Sequence, residues 1–144
     1  MILDIINNSD YQHIIKKQIK EIIEFLIKEN VEFSITANIA SLSFTPKLPK
    51  VIESKLPPFP LFMLAGYTFE SLHTYEDYLE FEAGFGKENF GSVIKIPYLA
   101  IFQIVFDESI LYINPIATQT ALFENINHTI KSKSKLKLAR TTNE

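Results

Sequence analysis

The hydrophobic pattern of this chain changes its period at Asn30, and this change constrains the fold more than any other feature of the sequence. Between residues 9 and 30, apolar residues recur every three or four positions, and neither glycine nor proline interrupts them. After this point Val31, Phe33 and Ile35 alternate with polar residues, as in a strand that buries one face. One long helix followed by alternating segments predicts an α+β domain in which the helix flanks antiparallel strands.

The predicted helix covers residues 9–30, with Ser9 and Gln12 at the spacing of a capping box. At 100° per residue its apolar positions cover an arc of about 220°, which is wider than one core contact needs. We interpret this width as two contacts, one with the domain's own sheet and one with a second copy of the chain. The alternative is a helix deeply embedded in its own domain. The candidate residues for homodimer pairing are Ile15, Ile19, Ile22 and Leu26.

Beyond the helix the sequence predicts five or six short antiparallel strands, which would form a small β-barrel or sandwich. A turn near residues 39–41 resets the alternation, and five prolines from Pro46 to Pro60 predict an ordered loop without regular structure. The elements predicted after this loop are a buried strand over 61–69 containing Gly66, strands over 79–85 and 92–96, a short helical turn within 98–104 and a last strand over 110–113.

We assign residues 1–116 to a single domain, with its β-domain over 31–116, and residues 117–144 to a flexible tail. The charge is distributed unevenly along the chain. Residues 1–129 carry nine lysines against sixteen Asp and Glu, whereas residues 130–144 carry four lysines and one arginine against one Glu. Because an acidic body repels phosphate chains, nucleic acid is an unlikely partner and its binding would depend on the tail alone. The basic tail either keeps the protein soluble or docks on a partner.

The composition excludes several kinds of chemistry. The 144 residues contain no cysteine, which removes disulfides, thiolate metal sites and cysteine nucleophiles. His13, His73 and His128 are scattered, and the chain has no phosphate-binding loop, zinc-protease motif or nucleophile elbow. We therefore expect no catalytic residue, no metal and no cofactor. The lack of a secretory signal and of a membrane-spanning apolar run predicts a cytoplasmic location.

Three features suit the binding of an extended peptide, because strand edges supply backbone hydrogen bonds and apolar pockets admit alternate side chains. They are phenylalanine-rich strands, a hairpin marked by glycines, and aromatics that we expect to be exposed, Tyr67, Tyr75, Tyr78 and Tyr98. Three segments of this region, residues 81–86 (FEAGFG), 94–101 (IKIPYLAI) and 106–110 (FDESI), resemble the SspB (stringent starvation protein B) family, particularly its shorter alphaproteobacterial type. The order of one helix followed directly by a strand is also similar to that family.

The resemblance implies a non-enzymatic adaptor for the ClpXP protease. It would be a homodimer paired through the N-terminal helix, with a β-domain that holds the ssrA degradation tag and a tail that docks on the ClpX unfoldase. The implied peptide-binding residues are Phe85, Gly86, Lys87, Tyr98 and Ile101. The implied docking residues in the tail are Leu136, Lys137, Leu138 and Arg140. The alternative is an SspB-like fold that serves as a protein-interaction or assembly subunit for another partner.

Overall fold

A computed structural model describes residues 1–119. Two four-stranded antiparallel sheets face each other, and one long helix packs against the core that they enclose. The helices are α1 (Ile2–Ile6), α2 (Ser9–Lys28), α3 (Lys50–Glu53) and α4 (Tyr67–Glu70), and short 3₁₀ turns cover Ile39–Ser41, Tyr98–Ala100 and Pro115–Thr118. The strands are β1 (Phe33–Ala37), β2 (Ser43–Thr45), β3 (Leu61–Leu64), β4 (His73–Thr74), β5 (Tyr78–Phe85), β6 (Phe90–Pro97), β7 (Ile101–Phe106) and β8 (Ser109–Ile113).

The first sheet has the strand order β3-β1-β7-β8, and the second has the order β2-β6-β5-β4. The predicted α+β class is therefore confirmed, with an N-terminal helix and antiparallel strands. The two sheets are separate and do not close into a barrel, so of the two predicted arrangements the sandwich describes this chain. Each sheet keeps two edge strands, and an edge strand presents backbone groups that another chain can pair with.

The start of α2 differs by one residue from the predicted cap. Asn8 is the N-cap, and its side chain accepts a hydrogen bond from the Tyr11 amide at 3.0 Å. Gln12 instead donates to the carbonyl of Ile6 at 2.8 Å, which joins α2 to the unpredicted helix α1. The helix ends at Lys28, and Asn30 adopts a left-handed φ of 57° before β1 begins. The change of period in the sequence thus coincides with a sharp turn of the backbone.

Most of the predicted pairing residues lie in the core of the domain. Ile15, Ile19 and Leu26 are buried, together with Ile23, which leaves none of these side chains on the outside of α2. The assignment of those three residues to a dimer contact is therefore corrected, because they pack within their own domain. Of the four, Ile22 is only partly buried and lies at the border of the outward side.

Two predicted elements have different forms in the structure. The strand predicted over 61–69 ends at Leu64, because Gly66 has a φ of 57° and turns the chain into α4. The segment 98–104 is a 3₁₀ turn over Tyr98–Ala100 followed directly by β7. In both cases the apolar run was predicted as one element and contains two.

The domain also extends slightly beyond residue 116. Ala117 is fully buried, and its carbonyl accepts a hydrogen bond from the side chain of Asn38 at 2.8 Å. Asn114 is fully buried too, and its amide group donates to the carbonyls of Leu99 and Ile101 at 2.9 and 3.0 Å. These bonds hold Asn114 and Ala117 against Asn38, Leu99 and Ile101. The predicted tail beyond Gln119 lies outside the described residues.

Candidate peptide-binding site

A concave region of about 500 Å³ lies on the outer face of the second sheet. Its floor is formed by β5 and β6 where Gly84 stands directly opposite Gly91. Thr45 and Pro46, at the end of β2, border it on one side, and Tyr67 of α4 borders it on the other. Glycine has no side chain of its own to hold a ligand away, so another backbone can approach this floor closely where the space above it is open, which is the case at Gly91.

The two glycines of this floor have different surroundings. A Cβ atom on Gly91 would meet nothing within 4 Å, so the space above it is open. A Cβ atom on Gly84 would overlap the side chain of Asn89, which lies over this glycine. Asn89 adopts a left-handed φ of 53° in the turn after β5, a conformation that asparagine tolerates better than most residues. The turn therefore places an amide side chain, with donor and acceptor groups, at the rim of the concavity.

The wall on the α4 side is held by a hydrogen bond between two side chains. The hydroxyl of Tyr67 donates to a carboxylate oxygen of Glu82 at 2.6 Å. This bond, together with the negative charge of Glu82, raises the pKa of the Tyr67 hydroxyl above its ordinary value. A second concavity of about 440 Å³ begins on the far side of Tyr67 and shares Glu82 with the first.

This second concavity is acidic. Glu70 and Glu80 line it together with Glu82, and His73 is the basic residue among its lining side chains. Lys95, opposite Glu80 in the ladder, has its ammonium nitrogen 3.9 Å from the Glu80 carboxylate and 5.4 Å from the Tyr78 ring centroid. Because carboxylates outnumber cations, the outer face of the second sheet attracts positively charged groups and repels acidic ones.

One edge of β5 is only half covered. The two-residue strand β4 pairs with Leu79 and Glu80 and then ends. At the next outward-directed amide, that of Glu82, the hydroxyl of Ser71 accepts the hydrogen bond at 2.9 Å in place of a strand partner. By the alternation of an antiparallel ladder, the amide of Gly84 points to this same side, beyond the reach of β4. The last residues of β5 therefore offer a strand edge beside the glycine floor.

The structure does not bring the five predicted peptide-binding residues together. Phe85, Gly86 and Lys87 lie at the hairpin, whereas Tyr98 and Ile101 lie past the opposite end of β6. The seven residue steps of β6 separate the two groups by roughly 23 Å. Tyr98 and Ile101 are also buried, so we correct their assignment: both are core residues, and the Tyr98 hydroxyl donates to the carbonyl of Tyr75.

The hairpin residues have three separate positions relative to the concavity. The ring of Phe85 packs edge-on against Phe44 with centroids 5.9 Å apart, so it supports the sheet from the inner side. Gly86 turns the chain with a φ of 73°, and Lys87 is exposed in the turn. The predicted docking residues Leu136, Lys137, Leu138 and Arg140 lie outside the described residues.

Sequence reasoning missed Glu82 and Asn89 as site residues. The signal for the floor was present, because a hairpin with its turn over residues 86–89 must pair position 84 with position 91. Tyr67 was predicted to be an exposed aromatic, and it is, but the strand predicted over 61–69 did not show which residues it would meet. The site thus depends on the turn at Gly66, which carries Tyr67 across to Glu82.

Comparisons of this chain with protein-family models, with curated proteins and with solved structures found no match. Within residues 1–119, no three acidic or histidine side chains lie close enough together to hold a metal ion. In the same part of the chain, every helix is too short or too polar to cross a membrane. The described residues therefore form a two-sheet α+β domain in which β4 covers only the first part of the outer edge of β5.

Proposed function

We propose that this protein is a non-catalytic adaptor that binds an extended peptide at the open edge of β5. The observation that carries the proposal is the gap that β4 leaves beside Glu82 and Gly84, next to a concave floor of paired glycines. A peptide strand added at this edge gains backbone hydrogen bonds, and its alternate side chains enter the concavity. No bond of the peptide is broken in this role.

The partner that we propose rests on the resemblance to the SspB family. The bound peptide is then a degradation tag of the ssrA type, and the tail connects the protein to the ClpX unfoldase. A flexible connection of this kind turns delivery into an encounter at an effective concentration in the millimolar range, so each contact can be weak. The proposal includes the cytoplasmic location that the sequence predicts.

A homodimer is part of the same proposal, with a pairing surface that differs from the residues first assigned. Ile14 and Phe25 lie on the outward side of α2 and are 51% and 59% exposed. Ile22 lies between these two residues and the core. Gln18, on the same side of the helix, accepts a hydrogen bond from the Tyr112 hydroxyl at 2.7 Å. The outward side of α2 therefore presents apolar groups that a second copy of α2 would cover.

The direct test is a titration of a fluorescent ssrA-type peptide with the full-length chain. Gly91→Val places a side chain into the open space above the floor without a clash in the free protein. We expect this variant to weaken peptide binding at least tenfold. The matched control is Ser43→Val, on the outer face of the same sheet opposite Lys95 and outside the concavity, which should bind like the unchanged protein.

Two results would contradict the proposed site and ligand. If the unchanged protein does not bind the peptide at high micromolar concentration, an ssrA-type tag is not its ligand. If it binds and Gly91→Val binds equally well, the peptide lies elsewhere. A degradation assay with tagged substrate and ClpXP then separates peptide binding from delivery.

The second candidate function is an assembly subunit with an SspB-like fold. The exposed Ile14 and Phe25 favour it, since apolar side chains on an outer helix surface are also what a permanent partner covers. Recovery of one stable partner from a pull-down, without ClpX and without tagged substrates, would support this function over the adaptor.

A further inference from the structure

The first position that a peptide strand would occupy on the open edge of β5 lies opposite Gly84. β4 pairs with Leu79 and Glu80 and then ends, and the Ser71 hydroxyl accepts the hydrogen bond of the Glu82 amide. Gly84 is the next residue whose amide points to this side. Because directly opposed residues of two strands share a face, the peptide residue opposite Gly84 has its side chain on the outer face of the sheet, as Glu82 does.

Two oxygen acceptors converge on this position. The side-chain oxygen of Asn89 lies directly above Gly84, 1.7 Å from the place that a Cβ atom would take. Glu82 is two residues from Gly84 on the same face of β5. Residues that are diagonal to each other on neighbouring strands are about 7–8 Å apart, which is within reach of a long side chain. A single long side chain opposite Gly84 can therefore contact both the amide oxygen and the carboxylate.

The charge of this carboxylate is not compensated within residues 1–119. The Tyr67 hydroxyl donates to one oxygen of Glu82, and this neutral donor leaves the negative charge in place. Neither Glu82 nor Glu70, which both line the adjoining concavity, forms an ion pair in the described part of the chain. Lys95 is engaged with Glu80, whose carboxylate is 3.9 Å from the lysine ammonium. A cation on a bound peptide therefore meets an unpaired carboxylate.

Arginine has the side chain that fits these two acceptors. Its guanidinium carries N–H donors in a planar fork, so it donates to a carboxylate and to a second oxygen at the same time. The lysine ammonium is a compact point charge on a flexible stem, and an acidic side chain is repelled by Glu82. Gly84 has no side chain that would compete for this space, and the acceptor above it belongs to Asn89 in the turn.

We propose that the peptide bound at the open edge of β5 carries an arginine opposite Gly84, and that its guanidinium binds the Glu82 carboxylate and the Asn89 amide oxygen. This inference rests on the proposed function, because it names the class of peptide that the same site takes. It does not depend on the source of that peptide or on the ClpX unfoldase. Opposite charges on neighbouring strands stabilise their pairing, so the arginine adds specificity to the backbone hydrogen bonds of the strand edge.

The test compares two peptides that differ in charge at one position. A short fluorescent peptide of threonine and valine with a central arginine is titrated with the full-length chain, beside the same peptide with citrulline in place of the arginine. Citrulline has nearly the same shape as arginine and carries no charge. We expect the arginine peptide to bind about fivefold more tightly at low salt, and the difference to shrink as added salt screens the charges.

Two substitutions locate the arginine. Glu82→Gln keeps an acceptor for the Tyr67 hydroxyl and removes the charge, so it should abolish the preference for arginine over citrulline. Asn89→Gly removes the amide at a φ of 53°, which glycine adopts without strain, and it should weaken both peptides about threefold because citrulline also donates N–H groups. The matched control Glu53→Gln changes the same charge on α3, away from the concavities, and should retain the full preference.

The outcomes separate this inference from the proposed function. If neither peptide binds, the proposed peptide site is wrong and the inference falls with it. If both peptides bind the unchanged chain equally well, the site binds peptides without selecting arginine, and only the inference is wrong. If Glu82→Gln prefers arginine as strongly as the unchanged chain does, the arginine lies elsewhere and the inference is again wrong. Affinities unchanged by Asn89→Gly would contradict the contact with Asn89.

Discussion

A Cβ atom placed on Gly84 would lie 1.7 Å from the side-chain oxygen of Asn89, so the amide of Asn89 lies directly over the glycine. Gly91, opposite Gly84 in the ladder, has open space in the same position. Neither glycine has a positive φ, so the difference between them comes from their surroundings and not from backbone strain. The two positions therefore form a matched pair for substitution.

Alanine at these two positions should have unequal effects on stability. Gly91→Ala lowers the entropy of the unfolded chain without a clash, and it should raise the free energy of unfolding by up to about 1 kcal/mol. Gly84→Ala must first displace the end of the Asn89 side chain, so it should be less stable than Gly91→Ala. Thermal unfolding followed by circular dichroism measures both variants. A Gly84→Ala protein as stable as Gly91→Ala would show that Asn89 moves without cost.

The charge of Glu82 should influence which peptides bind. Glu82→Gln removes one carboxylate that faces both concavities. Affinity for a peptide with acidic residues should rise about two- to fivefold at low salt, and the gain should shrink as added salt screens the charges. Glu53→Gln on α3 carries the same charge change away from the concavities and should have no effect. The measurement is peptide anisotropy at two salt concentrations, and equal affinities for both variants would exclude a role for Glu82.

Lysine on the outward side of α2 should separate the proposed dimer. Ile14→Lys combined with Phe25→Lys introduces two charges at exposed positions, so the fold of the single chain should remain intact. Sedimentation equilibrium should show a monomer for this variant and a dimer for the unchanged chain. Val51→Lys, at an exposed apolar position on α3, is the control and should remain dimeric. A dimer that persists in the double variant would require another pairing surface.

The buried hydroxyl of Tyr98 should make stability depend on alkaline pH. Burial, and then the negative charge of Glu24, raise the pKa of Tyr98 well above its ordinary value near 10. Above pH 10 the unfolded chain loses this proton while the folded chain keeps it, so the free energy of unfolding falls as the pH rises. The fall attributable to this residue has a limiting slope of about 1.4 kcal/mol per pH unit.

Tyr98→Phe isolates this effect from the other tyrosines. At pH 8 the variant should be less stable by about 1 kcal/mol, because the carbonyl of Tyr75 loses its donor. From pH 10 upward the difference between the two proteins should shrink, since only the unchanged chain loses stability through this hydroxyl. Urea unfolding at several pH values measures the difference. A constant difference across the range would contradict the raised pKa.

An element of this fold can be predicted from the sequence where the local spacing of residues determines its structure. The helix after Asn8, the strand at Phe33 and the hairpin around Gly86 were each predictable, because the helical and strand periods and the turn residues agree there. The pairing of Gly84 with Gly91 also follows from the turn. These elements give the class of the fold and the floor of the site.

The parts of the fold and of the site that the sequence does not predict depend on contacts between distant parts of the chain. Tyr98 resembles a surface aromatic in the sequence, yet it is buried because the 3₁₀ turn that carries it packs beneath α2. Glu82 resembles an ordinary outward strand residue until α4 brings Tyr67 to it. Local spacing also does not show that β4 ends after two residues.

The short length of β4 sets an upper limit on what the proposed site can hold. Glu82 to Phe85 extends about 13 Å, which is room for a guest motif of only four residues or so. A bound peptide that reaches as far as Glu82 must replace the Ser71 hydroxyl as the acceptor for the Glu82 amide. A peptide that stops at Gly84 leaves this hydroxyl in position. Discrimination between guests should therefore depend on their length and on the backbone donors at their ends as much as on their side chains.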